Sequence, residues 1–458
     1  MNISPRTRAR LLGVSQTASS VKTLLRLPHH LSALLFTLAI VCSSATLAHG
    51  ASGDLDTTFG WGGKVTADFI NDDCINDMTL QPDGKILVAG SIGNYFGLAR
   101  YQNDGALDTT FGNGGVVTTP LPGIPGYYVG GASAIALQQD GKIVLAGISI
   151  SESDIDFAVA RYNNDGSLDT SFGDAGWVIT DFFGEYDLAN DIAIQADGKI
   201  VVAGAAHESK HESYGARSYI ALIRYNTDGS LDATFGDGGK SITKSYPFYA
   251  GADAVAIQPD GKIVVAGNGQ TLTFTKFLVA RFNTDGSLER TFGDGGVTLT
   301  GFMGGADYAT DLALQPDGKI VLAGFANTRS GSTSDLAVAR YNSNGHLDRD
   351  FGTNGKVITD LFGGFDTGNA MALLPDGRIV VIGNAQTSET NSDFATAVYT
   401  TDGKLDITFG QSGRNTTDFY GFTDNPLAIA LQPDGKFIVG GYTFTGHSID
   451  FALARYTW

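Results

Sequence analysis

The chain contains few cysteines and few basic residues, and each shortage excludes a class of protein. Only Cys42 and Cys74 occur among 458 residues, so a small scaffold held together by several disulfides is excluded. Thirty lysines and arginines stand against 48 acidic residues, and the formal net charge is −18. Because nucleic acid is bound through basic surfaces that neutralise phosphates, we expect no nucleic-acid partner.

Long apolar segments are also scarce, and a short one lies near the N-terminus. Five basic residues between positions 6 and 26 precede the apolar run 31–41, and small residues follow it up to Ala48. This order is typical of a secretory signal peptide, which we predict over residues 1–48. The run is too short to cross a bilayer core of about 30 Å. We therefore expect a secreted, periplasmic or cell-surface bacterial protein with no stable membrane span, a membrane-anchoring helix being the alternative.

Glycine, in contrast, is abundant, and it marks a repeat. The chain has 61 glycines, roughly twice the usual proportion. A phrase close to QPDGKI occurs seven times, and phrases close to TFG and ALARY each also occur seven times. The glycines of the first phrase are Gly84, Gly141, Gly198, Gly261, Gly318, Gly377 and Gly435.

Each repeat contains signals for four strands and none for a helix. In the third repeat, apolar runs at 191–195 and 199–204 flank Asp197 and Gly198, and an Asp-Gly pair between such runs predicts a hairpin. Further strands are expected at 219–225 and 239–243. Four short strands repeated seven times predict an all-β, seven-bladed β-propeller formed as one domain by residues 49–458. A β-solenoid is the alternative architecture.

The two ends of this region complement one another. Residues 64–69 read as the last strand of a repeat, whereas residues 451–456 read as a third strand that no fourth strand follows. Pairing of these two segments would complete the seventh blade and leave no exposed sheet edge. We therefore predict a ring closed by the N-terminal strand, in a protein that we expect to be monomeric.

Three consecutive phrases carry a resemblance to a known family. They are LDxTFGxxGxVxTDF, AIALQPDGKIVVAG and FALARYNxDGSLD, and they recur along the whole region after residue 48. In these phrases the chain resembles the delta-60 repeat family of secreted and surface bacterial proteins. The resemblance implies a propeller fold and supplies no catalytic residues.

A propeller has two faces, which differ here in sequence. The turn face carries the connections between strands one and two and between strands three and four of each blade, and these repeat the same phrases. The loop face carries the remaining connections, which vary in length and composition. Because binding residues are concentrated on variable loops, we expect a glycan or protein ligand on the loop face. Aromatic residues there could stack on it, or pack between blades: Tyr128, Tyr186, Tyr249, Tyr308 and Phe365.

Aspartates recur at the loop-face end of the first strand. A ring of carboxylates around the channel mouth could bind a hard cation, and calcium is the cofactor we consider, since it prefers several oxygen ligands. The alternative is that each aspartate caps its own loop. The residues stand eight positions before the glutamine of QPDGK or its equivalent: Asp73, Asp187, Asp307, Asp366 and Asp424.

Two further patterns bear on chemistry. His207 and His211 belong to an H-E-x-x-H sequence, which on a helix would bind zinc, but the alternative in a β repeat is a solvated loop. The arginine of ALARY precedes an acidic residue by eight positions in five repeats, as in Arg161 and Asp169, which predicts a structural ion pair.

Two functions follow as hypotheses. The favoured one is a non-catalytic binding or adhesion scaffold, because no single distinctive catalytic cluster interrupts the repeats. The alternative is a carbohydrate-active or other hydrolase or lyase that uses the acidic residues at the channel mouth.

Overall fold

The structure is a computed structural model that describes residues 52–70, 72–120, 128–151, 154–208, 217–244, 249–388 and 391–458. These residues form 28 strands in seven antiparallel sheets of four strands each. The predicted seven-bladed β-propeller is therefore confirmed. The predicted signal peptide lies outside the described residues, and within them no helix is long and apolar enough to cross a membrane.

The first four blades follow the chain in order. Blade 1 consists of β2 (Asp73–Leu80), β3 (Ile86–Ile92), β4 (Tyr95–Tyr101) and β5 (Val116–Thr119). Blade 2 consists of β6 (Tyr128–Leu137), β7 (Ile143–Ile150), β8 (Ile155–Tyr162) and β9 (Trp177–Thr180). Blade 3 consists of β10 (Asp187–Ile194), β11 (Ile200–Glu208), β12 (Arg217–Tyr225) and β13 (Lys240–Thr243). Blade 4 consists of β14 (Ala250–Ile257), β15 (Ile263–Gln270), β16 (Thr275–Phe282) and β17 (Val297–Thr300).

The remaining three blades return the chain to its start. Blade 5 consists of β18 (Gly304–Leu314), β19 (Ile320–Thr328), β20 (Ser334–Tyr341) and β21 (Lys356–Thr359). Blade 6 consists of β22 (Ala370–Leu373), β23 (Ile379–Ser388), β24 (Asn391–Tyr399) and β25 (Arg414–Thr417). Blade 7 consists of β26 (Asp424–Leu431), β27 (Phe437–Phe444), β28 (Ile449–Tyr456) and the N-terminal strand β1 (Lys64–Ala67).

Closure of the ring takes place between β1 and β28, as predicted. The two strands are antiparallel, with Lys64 opposite Ala454 and Ala67 opposite Phe451. Just before β1, the Asp56 amide donates to the Arg455 carbonyl at 2.8 Å. The two sequence ends of the described propeller are thus joined by non-covalent contacts, and the last blade gains its outer strand from them.

The Asp-Gly turns have the predicted geometry. Gly198 has a φ of +84°, a conformation that costs other residues a steric penalty. Its amide donates to the Gln195 carbonyl at 2.9 Å, and the Asp197 carboxylate accepts the Lys199 amide at 3.2 Å. The same residues therefore recur in these turns because the backbone geometry requires them.

A bulge in the inner strand explains the glycine that ends the phrase KIVVAG. In blade 3 the pairing register of β10 and β11 shifts between Ala189 and Asp191. The bulged backbone comes so close to β11 that a Cβ on Gly204 would lie 1.8 Å from the Leu188 carbonyl oxygen. Only glycine tolerates this approach.

The core lies between neighbouring blades. The phenylalanine of TFG is fully buried in every repeat, and in six repeats an arginine guanidinium covers its ring. Arg161 Cζ, for example, lies 4.6 Å from the ring centre of Phe172. Aliphatic residues from the inner strands of the next blade complete each cluster. The blades therefore stabilise one another through contacts that repeat around the ring.

Candidate functional site

The turn face contains a buried ion network, and it confirms the predicted Arg-acid pairs. Asp169 Oδ2 accepts from Arg161 Nε and from Lys142 Nζ, both at 2.7 Å. Arg161 also donates to the carbonyl of Thr227 in the following repeat. These hydrogen bonds and positive charges hold the pKa of Asp169 well below its usual range in spite of its burial. The pair thus links neighbouring repeats, and its charges are satisfied within the protein.

Repeat six departs from this network. Val398 replaces the arginine, and Arg378 replaces the lysine of QPDGK. Arg378 Nη1 donates to Asp406 at 2.7 Å, and its guanidinium lies 4.8 Å from the ring centre of Trp458. One residue therefore performs the pairing that two residues perform elsewhere.

On the loop face, the five predicted aspartates each cap a loop. Asp187 Oδ2 accepts the Phe182 amide at 2.6 Å, and Oδ1 accepts the His207 amide at 3.3 Å. The side chain is fully buried. The equivalent residues accept amides in the same way, over distances of 2.7–2.9 Å: Asp73, Asp307, Asp366 and Asp424.

In two of the three groups of acids that the structure brings together, the members come from three different elements of one blade junction. In the third group, Asp154 and Asp156 both lie at the start of β8. Asp366 and Asp424 have neighbours from the outer strands of the preceding blade, and neither is grouped with the other. Within each group, one oxygen of every aspartate lies within 4.8 Å of the others. The groups, here called acid triads, are Asp154, Asp156 and Asp181; Asp335, Asp360 and Asp366; and Asp393, Asp418 and Asp424.

Most members of the triads were missed by sequence reasoning. Asp181, Asp360 and Asp418 directly follow the outermost strand, in the phrase TDF or TDL. Asp156, Asp335 and Asp393 lie at the start of the third strand. The recurrence of TDF was a usable signal, but only the fold shows that it meets the start of the third strand and the next inner strand.

Burial alters the acidity of the loop-face aspartates. Burial, with the nearby charge of Asp181 adding to it, raises the pKa of Asp187 to about 7. Burial likewise raises the pKa of Asp424 to about 7 and those of Asp156 and Asp307 to about 6. These carboxyls therefore exchange protons near neutral pH, unlike those of the turn face.

Several of the predicted aromatic residues are exposed. Tyr186, Tyr249 and Phe365 have between 42% and 49% of their surface exposed. Tyr308 is half-buried and stacks on Phe325, with 5.1 Å between ring centres. Tyr128 begins β6, but its side chain lies outside the described residues. Sequence reasoning missed three more exposed rings, which follow TDF-type phrases: Phe362, Tyr420 and Phe422.

His207 and Glu208 lie at the end of strand β11, and His211 lies outside the described residues. His207 Nδ1 is 2.5 Å from the Tyr186 carbonyl, and burial lowers the pKa of its imidazole. Glu208 accepts the hydroxyl of Tyr219 at 2.7 Å. At these two positions the backbone is extended, so the helical arrangement that a zinc site of this type needs is not present there.

A separate groove lies on the outer side of the closing strand. It has a volume of 530 Å³, and Trp61, Val65 and Tyr420 are among the residues that line it. Of the residues predicted for the site, none lines this groove. It therefore provides a concave surface that extends from Trp61 on the turn face to Tyr420 near the loop face.

Taken together, the closed ring, the uniform turn face and the variable loop face define a seven-bladed propeller built from one repeated unit. A family described as "Domain of unknown function (DUF5122) beta-propeller" matches residues 81–111, 138–172, 195–235, 258–292, 315–351, 374–409 and 432–457. The match recurs in all seven repeats and covers more than half of the chain. The chain belongs to this family.

No curated protein matches the chain. Solved structures that are similar include a protein of unknown function from Dyadobacter fermentans, with 14% identity, a TM-score of 0.42 and coverage of 72% of this chain and 99% of that one. Virginiamycin B lyase from Staphylococcus aureus has 10% identity, a TM-score of 0.46 and coverage of 85% and 98%. An ulvan lyase of polysaccharide lyase family PL25 has 13% identity, a TM-score of 0.48 and coverage of 84% and 95%.

Proposed function

We propose that the protein is an exported, non-catalytic scaffold that binds a glycan on its loop face. The observation that carries this proposal is the set of exposed rings beside buried carboxylates on that face. Rings of this kind offer flat apolar surfaces on which sugars stack, while the polar edges of a sugar need hydrogen-bonding groups nearby. The turn face lacks this combination among the described residues, because its buried acids are paired with arginine and lysine.

Hydrogen bonds fix the backbone that carries the exposed rings. The Tyr186 carbonyl accepts from both the amide and the imidazole of His207. The Phe365 amide donates to Gln386 Oε1 at 2.8 Å. A ring on a fixed backbone loses little conformational entropy when a ligand covers it, and such preorganisation favours binding.

Export is part of the proposal and rests on the signal-peptide pattern at residues 1–48. The resemblance to delta-60 repeats of secreted and surface proteins agrees with it. A protein placed outside the cytoplasm would meet polysaccharides and surface proteins. Cell fractionation, with N-terminal sequencing of the mature chain, tests this step, and a full-length cytosolic product would contradict it.

Repetition argues against catalysis. The buried loop-face aspartate occurs at the same position in five repeats, and in each it accepts an amide of its own loop. Five equivalent carboxyls with a common structural task do not single out one reaction centre. One observation favours the hydrolase or lyase alternative, since the pKa of about 7 for Asp187 suits a general acid near neutral pH.

Binding and turnover can be measured on the same polysaccharide panel. We expect saturable binding without product formation. The double change Tyr186→Ala and Phe365→Ala should weaken binding roughly tenfold or more, since each stacked ring contributes about 1 kcal/mol. Trp61→Ala is the matched control, because Trp61 is 93% exposed but belongs to the turn face. Product formation would establish the alternative, and binding that the double change leaves intact would place the ligand elsewhere.

A further inference from the structure

Three junctions between blades carry the acid triads, and two of the triads are built in the same way. In two of the triads, one aspartate begins the third strand of a blade, one follows its outermost strand, and one precedes or begins the inner strand of the next blade. In the remaining triad, Asp154 takes the place of the aspartate from the next inner strand. Asp187 lies beside this triad, where burial and the charges of Asp181 and Asp156 raise its pKa. Nine carboxyls are thus concentrated at three places on the loop face.

These carboxyls have no ionic partners among the described residues. No lysine, arginine or histidine there lies within 4.0 Å of an oxygen of the nine aspartates. Basic side chains beside the triads bind backbone instead: Lys240 donates to the Asp181 carbonyl at 2.5 Å, and Arg414 and Lys64 donate to the Asp360 and Asp418 carbonyls at 2.8 Å. Within the described residues the triads therefore have no ion pair, although the charge of Lys240 acts on Asp156 from nearby.

Asp156, a member of one triad, has a buried oxygen without a hydrogen-bond partner within the described residues. Asp156 is 7% exposed, and its Oδ1 has no hydrogen-bond partner in the described part of the chain. Ser149, directly opposite it on β7, is fully buried, and its hydroxyl also has none there. Buried polar atoms are paired in the great majority of cases. Two unpaired atoms beside a group of carboxyls indicate that the site is built to hold something that supplies the missing contacts.

Two other junctions show what the chain places there when the triad is absent. Lys276 occupies the position that is equivalent to Asp156, Asp335 and Asp393. Its ammonium opposes the rise in pKa that burial causes at Asp307. Lys244 stands where Asp181, Asp360 and Asp418 stand, next to a junction whose inner strand begins with Ala250 rather than aspartate. At these two junctions a lysine thus stands where the triads have an acid. This exchange suggests that a positive charge is favoured there.

We propose that each acid triad binds a calcium ion. Calcium takes oxygen ligands at about 2.4 Å, so ligands of one ion lie at most about 4.8 Å apart. One oxygen from each aspartate of a triad satisfies this limit. The exposed aspartates Asp181, Asp360 and Asp418 leave each site open to solvent, which would complete the coordination. At the triads that include Asp366 and Asp424, the ion would hold together two blades. This proposal does not depend on the glycan ligand.

Calcium titration of the mature protein by calorimetry tests the proposal. We expect saturable binding of about three ions, with dissociation constants of about 10⁻⁴–10⁻³ M as in extracellular modules. The triple change Asp181→Asn, Asp360→Asn and Asp418→Asn alters exposed residues only and should abolish this binding. The single change Asp360→Asn should reduce the stoichiometry by one.

A matched control removes the same number of charges from the opposite face. Asp197, Asp260 and Asp317 are exposed turn residues, and their triple change to asparagine should leave the stoichiometry unchanged. Asp156→Asn should remove one site, which provides a second test at a buried ligand. Parent protein that binds no calcium up to millimolar concentration would overturn the proposal. Equal loss in the turn-face control would also overturn it, because binding would then reflect net charge alone.

Discussion

The two faces of the propeller hold the same residue type in opposite states. On the turn face, Asp169 is buried between Arg161 and Lys142, and its pKa lies below the usual range. On the loop face, Asp187 is buried against backbone amides, and its pKa is raised to about 7. Burial opposes ionisation at both sites, and the neighbouring cations decide the outcome. The difference indicates that the turn face has its charges satisfied by ion pairs, whereas buried loop-face carboxyls such as Asp187 form no ion pair within the described residues.

The largest effect is expected where a buried ion pair is broken on the turn face. Arg161→Val leaves Lys142 as the one cation paired with Asp169 and removes the hydrogen bond to the Thr227 carbonyl. We expect a loss of about 3–5 kcal/mol in the free energy of unfolding, measured by denaturant titration. Adding Lys142→Arg imitates repeat six, in which Arg378 pairs with Asp406, and should recover part of the loss. A loss of less than about 1 kcal/mol in the free energy of unfolding for Arg161→Val would contradict the proposed difference between the two faces.

A smaller effect should appear in the pH dependence of stability. The pKa of Asp307 is raised to about 6 by burial, even though Lys276 and Lys356 lower it. Between pH 4 and 6 the folded protein keeps a proton that the unfolded chain has released, so this group's contribution is greatest at low pH and is lost as pH rises through 6. The melting temperature of Asp307→Asn should therefore depend less steeply on pH in this interval than that of the parent.

Turn-face acids should show the opposite dependence. The lowered pKa of Asp169 means that its contribution is present above about pH 4 and is lost as pH falls below it. The parent should consequently lose stability steeply in acid, while Arg161→Val should lose less. An identical acid limb in both proteins would show that the turn-face pair does not control acid unfolding.

The smallest effects are expected at two junctions where the repeat deviates. In five repeats the tyrosine of ALARY hydrogen-bonds a threonine of the preceding blade, as Tyr162 does with Thr119 at 2.9 Å. Ala67 replaces the threonine opposite Tyr101, and Phe282 replaces the tyrosine opposite Thr243. Both remaining hydroxyls are buried and have no hydrogen-bond partner within the described residues.

Ala67→Thr and Phe282→Tyr should therefore each stabilise the protein by about 1 kcal/mol. Thermal and denaturant unfolding would measure the gain. In a Thr243→Val background the gain from Phe282→Tyr should disappear, which serves as the control. A gain that persists in that background would mean that the new hydroxyl acts through another contact.

Local sequence was sufficient for much of the architecture. The Asp-Gly pairs predicted hairpins because only a few residues tolerate the turn geometry, and Gly198 has the expected positive φ. The eight-residue spacing predicted the pairing of Arg161 with Asp169. The unmatched end segments predicted the closure of β1 on β28. Each prediction rests on a pattern that recurs along the sequence. Each contact lies within one repeat or, at the ring closure, joins the two halves of one repeat.

The candidate site was less predictable, since its members are distant in sequence and come from two blades. Asp366 was recognised as a recurring aspartate, but Asp335 and Asp360 were not connected with it. The lysine exchanges at Lys244 and Lys276 likewise have meaning only once the strands that face each junction are known. The exposure of Phe362 and Tyr420 also depended on loop geometry.

The amino-acid sequence by itself determined the number of blades, their strand order, the closure of the ring and the identity of the uniform face, because these depend on turn geometry and on a period that repeats. Only the tertiary structure decided which aspartates of the loop face meet. Neighbouring blades bring together residues up to about thirty positions apart, and burial there decides whether a carboxyl finds an arginine, a backbone amide or no partner. Identical residues thus acquire different charges, and the physical reason is the local balance between desolvation and neighbouring charge.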